Sequence, residues 1–185
     1  MEVTTKRYGR AAIALHWASA ALVVANLFLA LSMVPLPLSP RKLSLYYWHK
    51  SIGVTVFVLT AMRLGWRAVH PAPPPVPMPA WQRRAAAASH VLLYALLLAV
   101  PLSGWVYSSA TGVQVVYLGL VPLPDLVPKD RALAAVLKGV HLSLNLTLFT
   151  LVGLHAAAAL KHHVVDRDAV LSRMLPFLAT RRSER

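Results

Sequence analysis

KGVHLSLNLTLFTLVGLHAAAALKHH (Lys138–His163) is the stretch on which the fold turns. From Val140 to Leu160 it carries no Lys, Arg, Asp or Glu, and about 20 such residues in helical form cross the hydrocarbon core of a bilayer. The reading is a membrane span over about Val140–His162. Ionisable side chains inside a membrane are costly, so their default reading is functional. His141, His155 and His162 are spaced 14 and then 7 residues apart. Fourteen residues turn a helix by about 1400°, roughly 40° short of four full turns, and advance it about 21 Å. All three imidazoles therefore share one face, with His141 and His155 at opposite depths.

The rest of the chain agrees with a membrane setting. Of 185 residues, 57% are apolar and 14% charged, against about 25% charged in soluble domains. A water-soluble globule, a disordered chain and a collagen-like fibre are excluded. Three more spans are expected, over about Ala11–Met33, Trp48–Val69 and Ala86–Ser108. A signal peptide is the rival reading of the first, but its apolar core runs only about 7–15 residues. The second is the weakest, since Lys50, Arg63 and Arg67 crowd its ends; long cations there can snorkel to the interface. Pro101 falls inside the third span and predicts a kink. Asp130 reads as the N-cap of a helix that begins at Arg131 and runs on into the fourth span.

Four spans place both termini on one side. Thirteen cations fall on that side, among them Lys6, Arg7, Arg10, Arg63, Arg181, Arg182 and Arg185, against six on the other: Arg41, Lys42, Lys50, Lys129, Arg131 and Lys138. The positive-inside rule then puts the termini in the cytoplasm. The net charge of +13 reads as cationic loops near anionic lipid. No basic run is interleaved with aromatics, so no nucleic-acid partner is expected. The six-proline segment Pro71–Pro79 reads as a stiff cytoplasmic linker. Ser109–Lys138 reads as the longest loop, on the outer side.

The chain has no cysteine, which excludes disulfides and iron–sulfur clusters. It has eight histidines. His49 and Arg63 lie 14 residues apart, on one stripe of the second span. His49 and His141 stand at the outer end and can meet across a bundle. At the inner end His16, His90 and His155 each lie six residues from a flanking cation, about 9 Å deep. Depth alone does not choose between His16 and His90 as the partner of His155. Two layers of paired imidazoles about 20 Å apart suit two bis-histidine hemes in a four-helix bundle. Gly53, Gly139, Gly153 and Ala156–Ala159 are the small neighbours a macrocycle needs. A single metal cluster would gather its ligands at one depth instead. Arg63 is placed to pair with a propionate of the inner heme. His70 and His163 read as surface residues.

RYGRAAIALHW (Arg7–Trp17), YYWHKSIG (Tyr46–Gly53), SHVLLYALLLAVPLSG (Ser89–Gly104), VGLHAAAALKHH (Val152–His163) and LSRMLP (Leu171–Pro176) resemble the bacterial cytochrome b561 family. That group is related to the cytochrome b subunits of nickel–iron hydrogenases and formate dehydrogenase. The resemblance implies an all-α membrane protein of the bacterial inner membrane, a four-transmembrane-helix bundle enclosing two b-type hemes. It implies His16 and His155 as ligands of the inner heme iron, and His49 and His141 as ligands of the outer one. His90 and His162 become candidates for a quinone site.

The implied chemistry is one-electron transfer between an outer-side donor and the membrane quinone pool, ubiquinone or menaquinone. Some members resemble superoxide oxidases, and the six outer cations would concentrate an anion. Two other functions fit less of the sequence. One is a heme-bearing anchor or electron-relay subunit for a peripheral dehydrogenase or hydrogenase. The other is a histidine-lined proton or metal transporter, which would be colourless.

Overall fold

The computed structural model describes residues 7–180; Lys6, Arg181, Arg182 and Arg185, which entered the charge count, lie outside the described residues. Four helices are long and apolar enough to cross a membrane. They are α1 (Arg10–Met33), α2 (Pro40–Val69), α3 (Ala80–Thr111) and α4 (Arg131–Lys161). A π-helical turn, His162–Asp166, follows α4, and a short α5 (Phe177–Thr180) ends the described chain.

The helices outrun the apolar spans at their water-facing ends. α2 starts at Pro40 rather than Trp48, because Ser39 caps it by accepting from Lys42 N at 3.3 Å. Pro40 suits the first helical position, where its missing N–H costs nothing. Asp130 caps α4 as expected, its Oδ1 accepting from Ala132 N (2.8 Å) and Leu133 N (3.0 Å). Asp130→Ala is expected to destabilise the fold by about 1 kcal/mol. Thermal unfolding in detergent checks this as a lowered midpoint with unchanged helix content.

The core sits midway along the bundle. Val23, Val56 and Leu148 lie seven residues after His16, His49 and His141 respectively. With Leu96, Leu97 and Val100 they form one buried apolar cluster. Two helical turns thus separate this layer from each histidine layer. Most other apolar side chains face outward: Phe28 is 64% exposed and Leu154 62%. A soluble protein does not leave such a continuous apolar surface in water.

α1 packs on α2, α2 on α3, and α3 on α4. By contrast, no Cα of α4 comes within 8 Å of a Cα of α1 or α2, although packed helix axes commonly stand 8–10 Å apart. Along that seam the backbones stand off and side chains fill the space between them.

Within the outer segment Ser109–Lys138, α3 runs on to Thr111 and α4 starts at Arg131, as its cap led one to expect. The segment also holds an antiparallel hairpin, β1 (Val116–Tyr117) and β2 (Val121–Pro122). Leu118 (φ 51°) and Gly119 (φ 71°) turn it through the left-handed region, which is uncommon for leucine. The hairpin is tied to α2: Leu118 N donates to Ser51 Oγ (3.3 Å), and the Tyr117 and Thr55 hydroxyls lie 3.2 Å apart. At the inner end Trp17 Nε1 donates to Met174 O (2.9 Å) and Arg173 Nη1 to Pro74 O (2.6 Å). The segment after α4 therefore folds back onto α1 and the proline linker.

Candidate functional site

α4 carries two histidines toward the seam. At the outer level His141 faces His49 of α2, with ring centroids 6.3 Å apart. At the inner level His155 faces His16 of α1 at 6.4 Å. The structure also brings His90 of α3 to the inner level, 5.4 Å from His155. A metal–imidazole bond is roughly 2 Å, with the ring centre about 1 Å beyond, so two imidazoles opposed on one metal have centroids about 6 Å apart. The pairs His49–His141 and His16–His155 have that spacing; His90–His155 is nearly an ångström closer.

The surroundings of the outer pair are built for a ligand. Ser103 Oγ donates its one hydrogen to Val100 O (2.8 Å). It is also 2.9 Å from His141 Nδ1, and there it can only accept. With the Ser103 hydrogen on Val100 O, the contact reads as an Nδ1–H of His141 donated to Ser103, the tautomer that leaves Nε2 bare. His49 Nδ1 and Asn26 Oδ1 are buried without a hydrogen-bond partner. Both residues line a cavity of about 40 Å³, with Gly53 and Pro101 among its other walls. A Cβ at Gly53 would meet nothing within 4 Å, so space opens on that side of the helix. Nitrogen donors facing in pairs, an unpartnered buried imidazole nitrogen and this open side fit a bis-histidine heme.

At the inner level Arg63 Nη2 lies 3.1 Å from His16 Nδ1. A guanidinium has donors only, so His16 Nδ1 accepts. Arg63 also stands over the Tyr94 ring, 5.4 Å from its centroid. The place expected for Arg63, on the inner layer, is where the structure has it. Its partners among the described residues are the His16 and Tyr94 rings.

His162 sits apart from both layers. Its Nδ1 is 2.6 Å from Asp168 Oδ2 and 3.1 Å from Asp166 Oδ2, and Lys161 Nζ bonds Asp166 at 2.6 Å. His70 stacks on Trp66, with centroids 3.9 Å apart, which satisfies it at the end of α2.

Residues 7–177 match the family model described as prokaryotic cytochrome b561. The chain belongs to the prokaryotic cytochrome b561 family. It is 35% identical to cytochrome b561 homolog 2 of Escherichia coli K12 over 184 residues, covering 93% of each chain. It is 33% identical to the probable superoxide oxidase CybB of Yersinia pestis, over 92% of this chain and 97% of that one. With cytochrome b562 of Cereibacter sphaeroides it shares 32% identity, over 91% and 94%. As a cytochrome b561 it is a multi-pass bacterial membrane protein, a b-type heme protein of electron transfer with oxidoreductase-like relatives.

Four residues near the sites of this cytochrome b561 carry little signal in the sequence. Ser103 and Gly104 close the stretch Ser89–Gly104 that carries the family resemblance, but nothing in the sequence singles them out as neighbours of His141. A helix-interior glycine costs about 1 kcal/mol against alanine and so asks for a packing reason, which was the available clue. Asn26 stood out only as a polar break in an apolar run. Asp168 lies six residues beyond His162, too far along a regular helix to reach back; the π turn and the left-handed Arg167 (φ 53°) bring it round.

Proposed function

We propose that the chain is a diheme cytochrome of the bacterial inner membrane that carries electrons from superoxide, on the outer side, to ubiquinone or menaquinone. The observation that carries this reading is the two facing imidazole pairs, at 6.3 and 6.4 Å, set 14 residues apart on α4 across a seam where the backbones stand off. His16 and His155 would hold the inner heme, and His49 and His141 the outer one. Heme bound there supplies one-electron storage at an iron whose potential the protein tunes by ligation, burial and nearby charge.

Arg63 then serves as the cation for an inner propionate. Such a pair needs the guanidinium to leave His16 Nδ1, which frees that nitrogen to carry the hydrogen. His90 stays beside His155 as a neighbour of the inner site and a candidate quinone-site residue. His162 is the second candidate. Asp168 holds its Nδ1, leaving Nε2 as the atom that exchanges a proton with quinone. In the overall reaction two superoxide anions each give up one electron and become dioxygen; the quinone takes two electrons and two protons. The six cations assigned to the outer side outnumber Asp125 and Asp130 there, which supports an anionic outer donor, and so does the likeness to a probable superoxide oxidase.

Purified protein is expected to contain two hemes per chain and to show a split or broad reduced b-type alpha band. Superoxide should drive quinone reduction by the chain alone. One heme or none per chain would sink the diheme reading. Two hemes with no activity until a peripheral dehydrogenase is added would make the chain a relay subunit.

A further inference from the structure

The two levels differ in what holds the α4 ligands' partners and their hydrogens. On the outer level, a Cβ built on Gly104 would lie 2.9 Å from His141 Cε1, 3.4 Å from Nδ1 and 3.5 Å from Nε2. The ring thus lies flat against the α3 backbone, where only glycine leaves room. One residue earlier, Ser103 Oγ lies 2.9 Å from His141 Nδ1 and directs its own hydrogen to Val100 O at 2.8 Å, the carbonyl that also bonds His141. Ring plane and tautomer are thereby both set from α3. On the inner level His16 faces the opposite kind of group, since Arg63 offers donors only.

We propose that Ser103 and Gly104 are positioning residues for His141. Gly104 sets the plane of its ring, and Ser103 accepts its Nδ1–H so that Nε2 is the ligating atom and the potential of the outer heme is held down. This rests on the diheme reading above. An Nδ1–H that donates makes the imidazole a more basic ligand. A more basic ligand favours ferric over ferrous iron, which lowers the potential. Because Ser103 cannot donate a second hydrogen, the effect has a fixed sign. Among the described residues no serine stands against His16 Nδ1, which faces Arg63 instead.

The test is a redox titration of the outer heme alone, in a His155→Ala background that lacks an inner ligand. In that background Ser103→Ala is expected to make reduction of the remaining heme about tenfold more favourable, a rise of about 59 mV for one electron. Ser103→Thr, which keeps the hydroxyl, should restore the parent potential. In the otherwise wild-type chain, Ser103→Ala should keep two hemes and shift one wave only. An unchanged outer potential in Ser103→Ala overturns the proposal. So does a shift that threonine does not reverse, or an equal shift in both hemes, since either would mark a change in packing. If the parent binds no heme at all, the diheme reading fails instead, and heme stoichiometry measured first separates the two.

Discussion

His155→Ala is expected to leave one heme per chain, the outer one, with its spectrum intact. His141→Ala should do the converse. The effects are all-or-none at each level because a bis-histidine iron loses half its protein ligation with one imidazole. The choice of α4 residues matters. Removing His16 leaves His90, which is already 5.4 Å from His155, as a substitute ligand, so His16→Ala should lower inner-heme occupancy less than His155→Ala. The two levels are separated by the cluster of Val23, Val56, Leu96, Leu97, Val100 and Leu148, so damage at one should not spread to the other. Pyridine hemochrome assay against protein concentration reads the outcome. Equal loss of both hemes in His155→Ala would mean that the residue supports folding and is not a ligand.

Gly104→Val is expected to abolish the outer heme and spare the inner one, with Gly104→Ala weakening the outer site less. The added Cβ would sit 2.9 Å from His141 Cε1, closer than carbon atoms pack, so the ring has to move. Overpacking of this kind costs typically about 1–3 kcal/mol. Against it stands a gain in helix propensity from removing glycine, about 1 kcal/mol for alanine and roughly half that for β-branched valine. The variant helix is therefore intrinsically favoured, and loss of heme would trace to the displaced imidazole. Circular dichroism should report unchanged helix content while the heme count falls from two to one. A Gly104→Val protein with two hemes of normal spectrum would show that the ring has room elsewhere.

Helical arithmetic carried the sequence far. The 14-residue intervals His141–His155 and His49–Arg63 fix depth and face along one axis, and the structure keeps those levels. The same arithmetic says nothing about which helix stands opposite, so depth left His16 and His90 equivalent and only the family resemblance favoured His16; the structure has both beside His155, at 6.4 and 5.4 Å. Helix ends were less legible than apolar spans, because hydropathy marks the apolar stretch whereas a capped helix such as α2 continues past it. The outer hairpin was unreadable for another reason. Its two-residue strands exist through docking on Ser51 and Thr55 of α2, with Leu118 held against its own backbone preference. The Asp168–His162 contact likewise depends on an irregular turn that no periodicity announces.

The standing-off of α4 from α1 and α2 has a consequence for the two halves of the chain. The proline segment divides the chain into two helical hairpins, α1–α2 and α3–α4, whose backbones adjoin along α2 and α3 and where β1 lies against α2. Each imidazole pair draws one member from each hairpin. Whatever the pairs clamp also rivets one half of the molecule to the other. A chain without its cofactor would keep the α2–α3 packing, the hairpin's bonds to α2 and the Trp17–Met174 bond, and would lack the clamp between α4 and the first hairpin.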